Sequence, residues 1–377
     1  MILSLRLLSH SRLKSTNPGN CCSRIIQLDY IRCLAILFVV ICHCSERLFG
    51  LTDVPRFGIV MAHSALFALG RLGVPLFLFL TGSLVLSKLV DTNDDAVAFY
   101  KRKLLPLATA SLLCTALYYF RAVVILGQPF DFLQAVRILL LLENCPCAVL
   151  WYLPMIIGIY MALPFVATVI RRFSQSCFYL PLGILFVTQF VLPFISSVSV
   201  VFGYPPISGN TALDISFLGG TYGVYVVLGF YLQSNIGDIH YNPRRLFSVG
   251  IISFISLIGM QWISLVHQRG YSIWYSDLLV LIAGFCLYIG LLKCPKFSNF
   301  RVIELISKAS FGIYLVHFAI IDLFELPFSL LARQGIFMYL SAALLLTAVV
   351  FAASFGLIQL TGKISPRLAR LLYLFKD

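Results

Sequence analysis

The chain has 377 residues, of which 60% are hydrophobic and only 11% charged. A soluble domain carries about a quarter charged residues, so a chain this poor in charge along its whole length cannot build a water-facing surface. The net charge of +13 does not mark a nucleic-acid binder, because the basic residues stand in small groups between apolar runs, which is the pattern of membrane topology.

Residues 1–24 hold Arg6, Arg12, Lys14 and Arg24, and their apolar part is too short and interrupted for a signal peptide. They are expected to form a cytoplasmic N-terminal tail, and residues 25–377 a single membrane domain. A bilayer-spanning helix needs roughly 20 mostly apolar residues. In chain order the candidates are 26–49, 73–89, 104–126, 148–170, 178–200, 217–232, 246–266, 273–292, 303–324 and 336–360. The second and sixth are short. The apolar stretch 132–142 contains Arg137 and is expected at the interface or as a re-entrant segment. With the N-terminus inside, twenty of the 28 Lys and Arg residues fall on the inner side and seven on the outer, with Arg32 inside the first span. That bias predicts an all-α polytopic membrane helical bundle of about ten transmembrane helices with both termini cytoplasmic.

Most of the eleven cysteines lie within apolar runs, as small buried hydrophobes do. The pairs Cys42/Cys44 and Cys145/Cys147 have no second pair at metal-site spacing, so no metal is assigned.

Ionisable groups within a span are costly and usually face a cavity or a partner. The first span holds Asp29, Arg32 and His43. Arg32 and His43 are eleven residues apart, about 20° past three full turns and about 16 Å along the axis. One helix stripe therefore presents a cation near the inner side and an imidazole in the outer half. The plainer account has Arg32 snorkelling beside Asp29 and His43 as a hydrogen-bonded packing residue. In the ninth span His317 reaches a depth similar to His43, with Tyr314 one turn earlier on nearly the same face. Two histidines at matching depth favour a shared polar cavity. Trp151 and Tyr152 open the fourth span and suit an aromatic belt or a binding surface. Lys101, Arg102 and Lys103 precede the third span as a positive-inside anchor or an anion site. Arg71 and Glu143 are weaker candidates.

Five stretches together carry a resemblance: LDYIRCLAILFVVICHCS (28–45), RLGVPLFLFLTGSLVLS (71–87), LWYLPMIIGIYMALP (150–164), FLGGTYGVYVVLGFYL (217–232) and SKASFGIYLVH (307–317). In this order they resemble the acyltransferase type 3 family of membrane-bound O-acyltransferases, in its stand-alone sugar or glycolipid branch. Arg32 and His43 fall in the two named places of the family's Arg-x10-His helix. Cys33 departs from the usual Gly, Ala148 from a polar residue, and the Lys101-Arg102-Lys103 cluster from two arginines spaced three apart. The resemblance implies transfer of an acyl group, by default acetyl, from acyl-CoA to a hydroxyl of a cell-surface sugar or glycolipid. It implies no cofactor beyond that donor substrate and no nucleic-acid partner, only membrane lipids and the two substrates, at the cell inner membrane. His43 would be the catalytic base or an acyl-accepting nucleophile. Arg32, Lys101, Arg102, Trp151, Tyr152, Tyr314 and His317 would bind substrate. The competing reading is a secondary transporter or flippase, which ten spans with intramembrane ionisable groups also suit.

Overall fold

The structure, a computed structural model, describes residues 25–52, 56–89, 92–207, 220–237, 240–295, 297–298 and 300–375. The expected N-terminal tail, Phe217 to Gly219 of the sixth span, Lys296 and Lys376 lie outside the described residues.

Every regular element among the described residues is helical. In chain order they are α1 (Ile26–Gly50), α2 (Phe57–Arg71), α3 (Gly73–Leu84), the short α4 (Asn93–Phe99), α5 (Leu105–Val124), α6 (Phe132–Leu139) and α7 (Tyr152–Arg172). Then follow α8 (Tyr179–Phe186), α9 (Leu192–Val201), α10 (Gly220–Ser234), α11 (Pro243–Val266), α12 (Leu278–Leu292), α13 (Arg301–Ala332), α14 (Ile336–Ile364) and α15 (Pro366–Tyr373). Eight helical stretches are long and apolar enough to cross a membrane, the segments α2–α3, α4–α5 and α8–α9 each counting as one. The helices α10 and α12, of 15 residues each, take the sixth and eighth predicted places. The outer surface is studded with exposed apolar side chains such as Phe120, Phe165, Leu180, Ile252, Leu323 and Phe337. Such a surface belongs against lipid, and the protein is a multi-pass membrane protein. The helix α6 is only eight residues, about 12 Å, too short to cross. Asp131 caps it by accepting from the Leu133 and Gln134 amides. Beside it the Glu143 carboxyl is held below its usual range by a hydrogen bond from Gln134 and by Arg137.

The second span differs from its expected bounds. It begins at Phe57 rather than Gly73 and runs to Lys88, 32 residues in all. Arg71, counted among the outer loop cations, sits inside it and is only 7% exposed. The cation ended the apolar run in the sequence, whereas in the fold it is buried by partners. The break between α2 and α3 has a covalent cause: Pro75 lacks the N–H that would bond the Arg71 carbonyl four residues back.

The helix α1 is the axis of the bundle. It packs against α2, α3, α12, α13 and α14, and Ile31, Ala35, Ile36 and Val40 are wholly buried. Gly70 lets α2 approach it closely, since a Cβ there would stand 2.4 Å from that of Cys42. A second close crossing joins α3 to α10, where Cβ atoms at Gly82 and Gly229 would lie 1.9 Å from the Val226 oxygen and 2.1 Å from the Phe79 oxygen. Ser83 seals it by donating to the Gly229 carbonyl at 2.8 Å. Gly229→Val is expected to force the helices apart and cost at least about 1–3 kcal/mol, read as a lower thermal midpoint in detergent. An unchanged midpoint would contradict the crossing.

Candidate active site

One end of the bundle gathers Arg32, Arg102, Lys103 and Arg370 around a cavity of about 480 Å³, well within the roughly 300–1,000 Å³ of ligand pockets. Among the described residues no acidic one lines it. Its walls are Val39 on α1, Val74, Phe77 and Thr81 on α3, Tyr152, Ile156 and Tyr160 on α7, and Ser310, Phe311 and Tyr314 on α13. Arg32 donates to the Ser307 hydroxyl at 3.0 Å, and that hydroxyl donates to Asp29 at 2.6 Å. Arg32 thus lines the cavity and is also tied to Asp29, 3.9 Å away. The basic cluster enters through a single wide helical turn, Tyr100–Leu104, in which the Leu105 amide reaches back to the Tyr100 carbonyl. Pro106, which has no amide to offer Arg102, explains why the α-ladder fails there. The turn brings Arg102 and Lys103 to the cavity; Lys101 does not line it.

The cavity lining ends at Val39 and Tyr314, and the imidazoles stand just beyond. His43 is one turn above Val39 on α1. Its Nδ1 lies 2.8 Å from the Glu46 carboxylate, and its side chain is 15% exposed. A carboxylate only accepts, so Nδ1 carries a proton, and in the neutral tautomer this leaves the lone pair on Nε2. Glu46, a third of whose side chain is open, also pairs with Arg71 at 3.3 Å. Arg71 in turn donates to the Tyr275 hydroxyl at 3.2 Å and lies over the rings of Phe67, Trp274 and Tyr275 at 4.4, 5.0 and 5.5 Å. Cys42 Sγ also falls near this group, within 4.8 Å of the His43 and Glu46 donor atoms. Because Glu46 is already engaged by Arg71 and by the His43 proton, the arrangement reads as a hydrogen-bonded dyad with a fixed counter-charge.

His317 faces His43 with ring centroids 5.4 Å apart. It is fully buried. Its Nδ1 lies 2.6 Å from the Tyr314 carbonyl and 3.2 Å from that of Ile313. Carbonyls only accept, so the proton is on Nδ1 and Nε2 is a bare acceptor, with no partner among the described residues. The two imidazole rings thus stand side by side, each with its Nδ1 committed to an acceptor. Tyr314 is fixed by donating to the Val149 carbonyl at 2.5 Å and packs edge-on against Tyr152.

A family model described as an acyltransferase domain matches residues 25–359, nearly the whole chain. The chain belongs to the acyltransferase type 3 family. No curated protein and no solved structure matches it. As a membrane acyltransferase it needs a donor site and an acceptor site, and the bundle brings together candidates for both.

Trp151 and Tyr152 are consecutive yet serve different compartments. Tyr152 lines the basic cavity. Trp151 stacks on Tyr275 at 5.3 Å and meets Trp274 at 5.4 Å, on the side where a second cavity of about 250 Å³ opens between Thr115, Glu143, Asn144, Pro146 and Trp151. Four members of this acyltransferase's site were not singled out by its sequence: Glu46, Trp274, Tyr275 and Arg370. Glu46 was within reach, since it lies three residues past His43, on the neighbouring position of one helix face.

Proposed function

We propose that this acyltransferase moves an acetyl group from acetyl-CoA, entering from the cytosol, to a hydroxyl of a cell-surface sugar or glycolipid at the inner membrane. The observation that carries the reading is the α1 stripe, with Arg32 in a cavity of four cations at one end and the His43–Glu46 dyad beyond the other. Phosphates of the donor suit the cations, and the thioester would reach toward Val39 and Tyr314 along the apolar walls. His43 Nε2 takes the proton of the acceptor hydroxyl, the oxygen attacks the thioester carbonyl, and the thiolate leaves, regaining a proton from the imidazolium. Throughout, the Nδ1 proton stays on His43, hydrogen-bonded to the Glu46 carboxylate, which holds the tautomer and offsets the charge that forms. Direct attack of His43 Nε2 on the thioester, giving an acyl-histidine, uses the same lone pair. His317, its ring 5.4 Å from that of His43, would orient that imidazole. The cytoplasmic placement of the basic end, and of both termini, follows from the charge bias along the chain.

Membranes carrying the protein are expected to release free CoA from acetyl-CoA and to add the mass of one acetyl group to surface glycans, whereas a transporter would release none. Arg32→Ala should raise the donor KM about tenfold or more with little change in kcat, as loss of a charge-assisted phosphate contact does. An unchanged KM would remove Arg32 from the donor site.

A further inference from the structure

The C-terminal helix α15 lies beyond the region the family model matches, which ends at residue 359. It is nevertheless built into the bundle. Ser365 caps it by accepting from the Leu368 amide at 3.3 Å, and it packs against α5, α13 and α14. Ala369 and Phe375 are 1% and 2% exposed. Tyr373 sits over Gly312 of α13, where a Cβ would come within 2.9 Å of its own. This anchored helix turns Arg370 and Leu374 into the wall of the basic cavity, while its other arginine, Arg367, does not line it. Among the described residues neither Arg370 nor Arg102 has an ion-pair partner. Two guanidinium groups without counter-charges, lining one cavity in which no described residue is acidic, leave the site short of negative charge.

We infer that α15 is the closing wall of the donor site and that Arg370 is a binding residue for a phosphate of the CoA moiety. This rests on the acyl-CoA reading above. The helix adds a guanidinium from the far end of the chain to those of Arg32 and Arg102, and a phosphate between them would be held by planar, charge-assisted hydrogen bonds. Because Arg370 is exposed and the buried anchors are its neighbours, its replacement should leave the fold intact.

The test is binding of tritiated CoA to the purified full chain in nanodiscs of neutral phosphatidylcholine. Arg370→Gln is expected to weaken binding about tenfold, the loss of one charge-assisted contact. Arg370→Lys should recover part of that, and Arg367→Gln on the same helix should bind like the unaltered protein. Thermal midpoints of all three should be unchanged. If the unaltered protein binds CoA and Arg370→Gln binds it as tightly, the assignment of Arg370 is wrong while the donor reading stands. Equal weakening by Arg367→Gln would reduce the effect to general surface charge and also overturn it. If the unaltered protein binds no CoA, the donor reading itself fails and takes this inference with it.

Discussion

His43→Ala is expected to lower the rate of acyl transfer by roughly 10²–10⁴-fold, the contribution of a positioned general base, while tritiated CoA still binds. The separation is built into the geometry. His43 is beyond the cavity lining and makes its bonds to Glu46, so truncating it leaves the cations at the other end of α1 in place. The ring is replaced by space beside His317 and Phe318, which costs packing but no buried charge. Retention of the unaltered rate in reconstituted membranes would remove His43 from the chemistry. A parallel loss of CoA binding would instead mean that the two ends of the stripe form one site.

Glu46→Gln should have the second large effect, through two separable causes. An amide at position 46 no longer fixes the Nδ1 proton of His43 or offsets an imidazolium, so turnover is expected to drop roughly 10²–10⁴-fold, as when a catalytic imidazole loses its carboxylate. Arg71 also loses its counter-charge while remaining buried. Stranding one half of a buried pair is strongly destabilising, although Glu46 is open on one side and the cost is reduced to about 2–3 kcal/mol. The double variant Glu46→Gln/Arg71→Met tells the causes apart, because removing both charges should restore the thermal midpoint without restoring the rate. Recovery of both would make the pair structural only.

The membrane architecture was legible because a span is a long signal, and apolar runs of roughly 20 residues leave little choice. The α1 stripe was legible for a similar reason: Arg32 and His43 share one rigid helix whose geometry is fixed. Arg71 was read poorly because a cation at the edge of an apolar run marks a membrane boundary in the absence of partners. Its partners are Glu46, on another helix, and Tyr275, 204 residues away, and only packing brings those together. The choice of Lys103 over Lys101 at the cavity turns on one wide helical turn at Pro106, which shifts the angular register by an amount that simple periodicity does not contain. Arg370 lies in a short amphipathic segment after the last span, where nothing local points to the opposite end of the chain.

At the start of α7 two successive residues turn to different cavities, Trp151 to the smaller and Tyr152 to the basic one. On the proposed function, the dense aromatic packing of Trp151, Tyr152, Tyr222, Trp274, Tyr275 and Tyr314 between them would serve as an electrical gasket as well as a recognition surface.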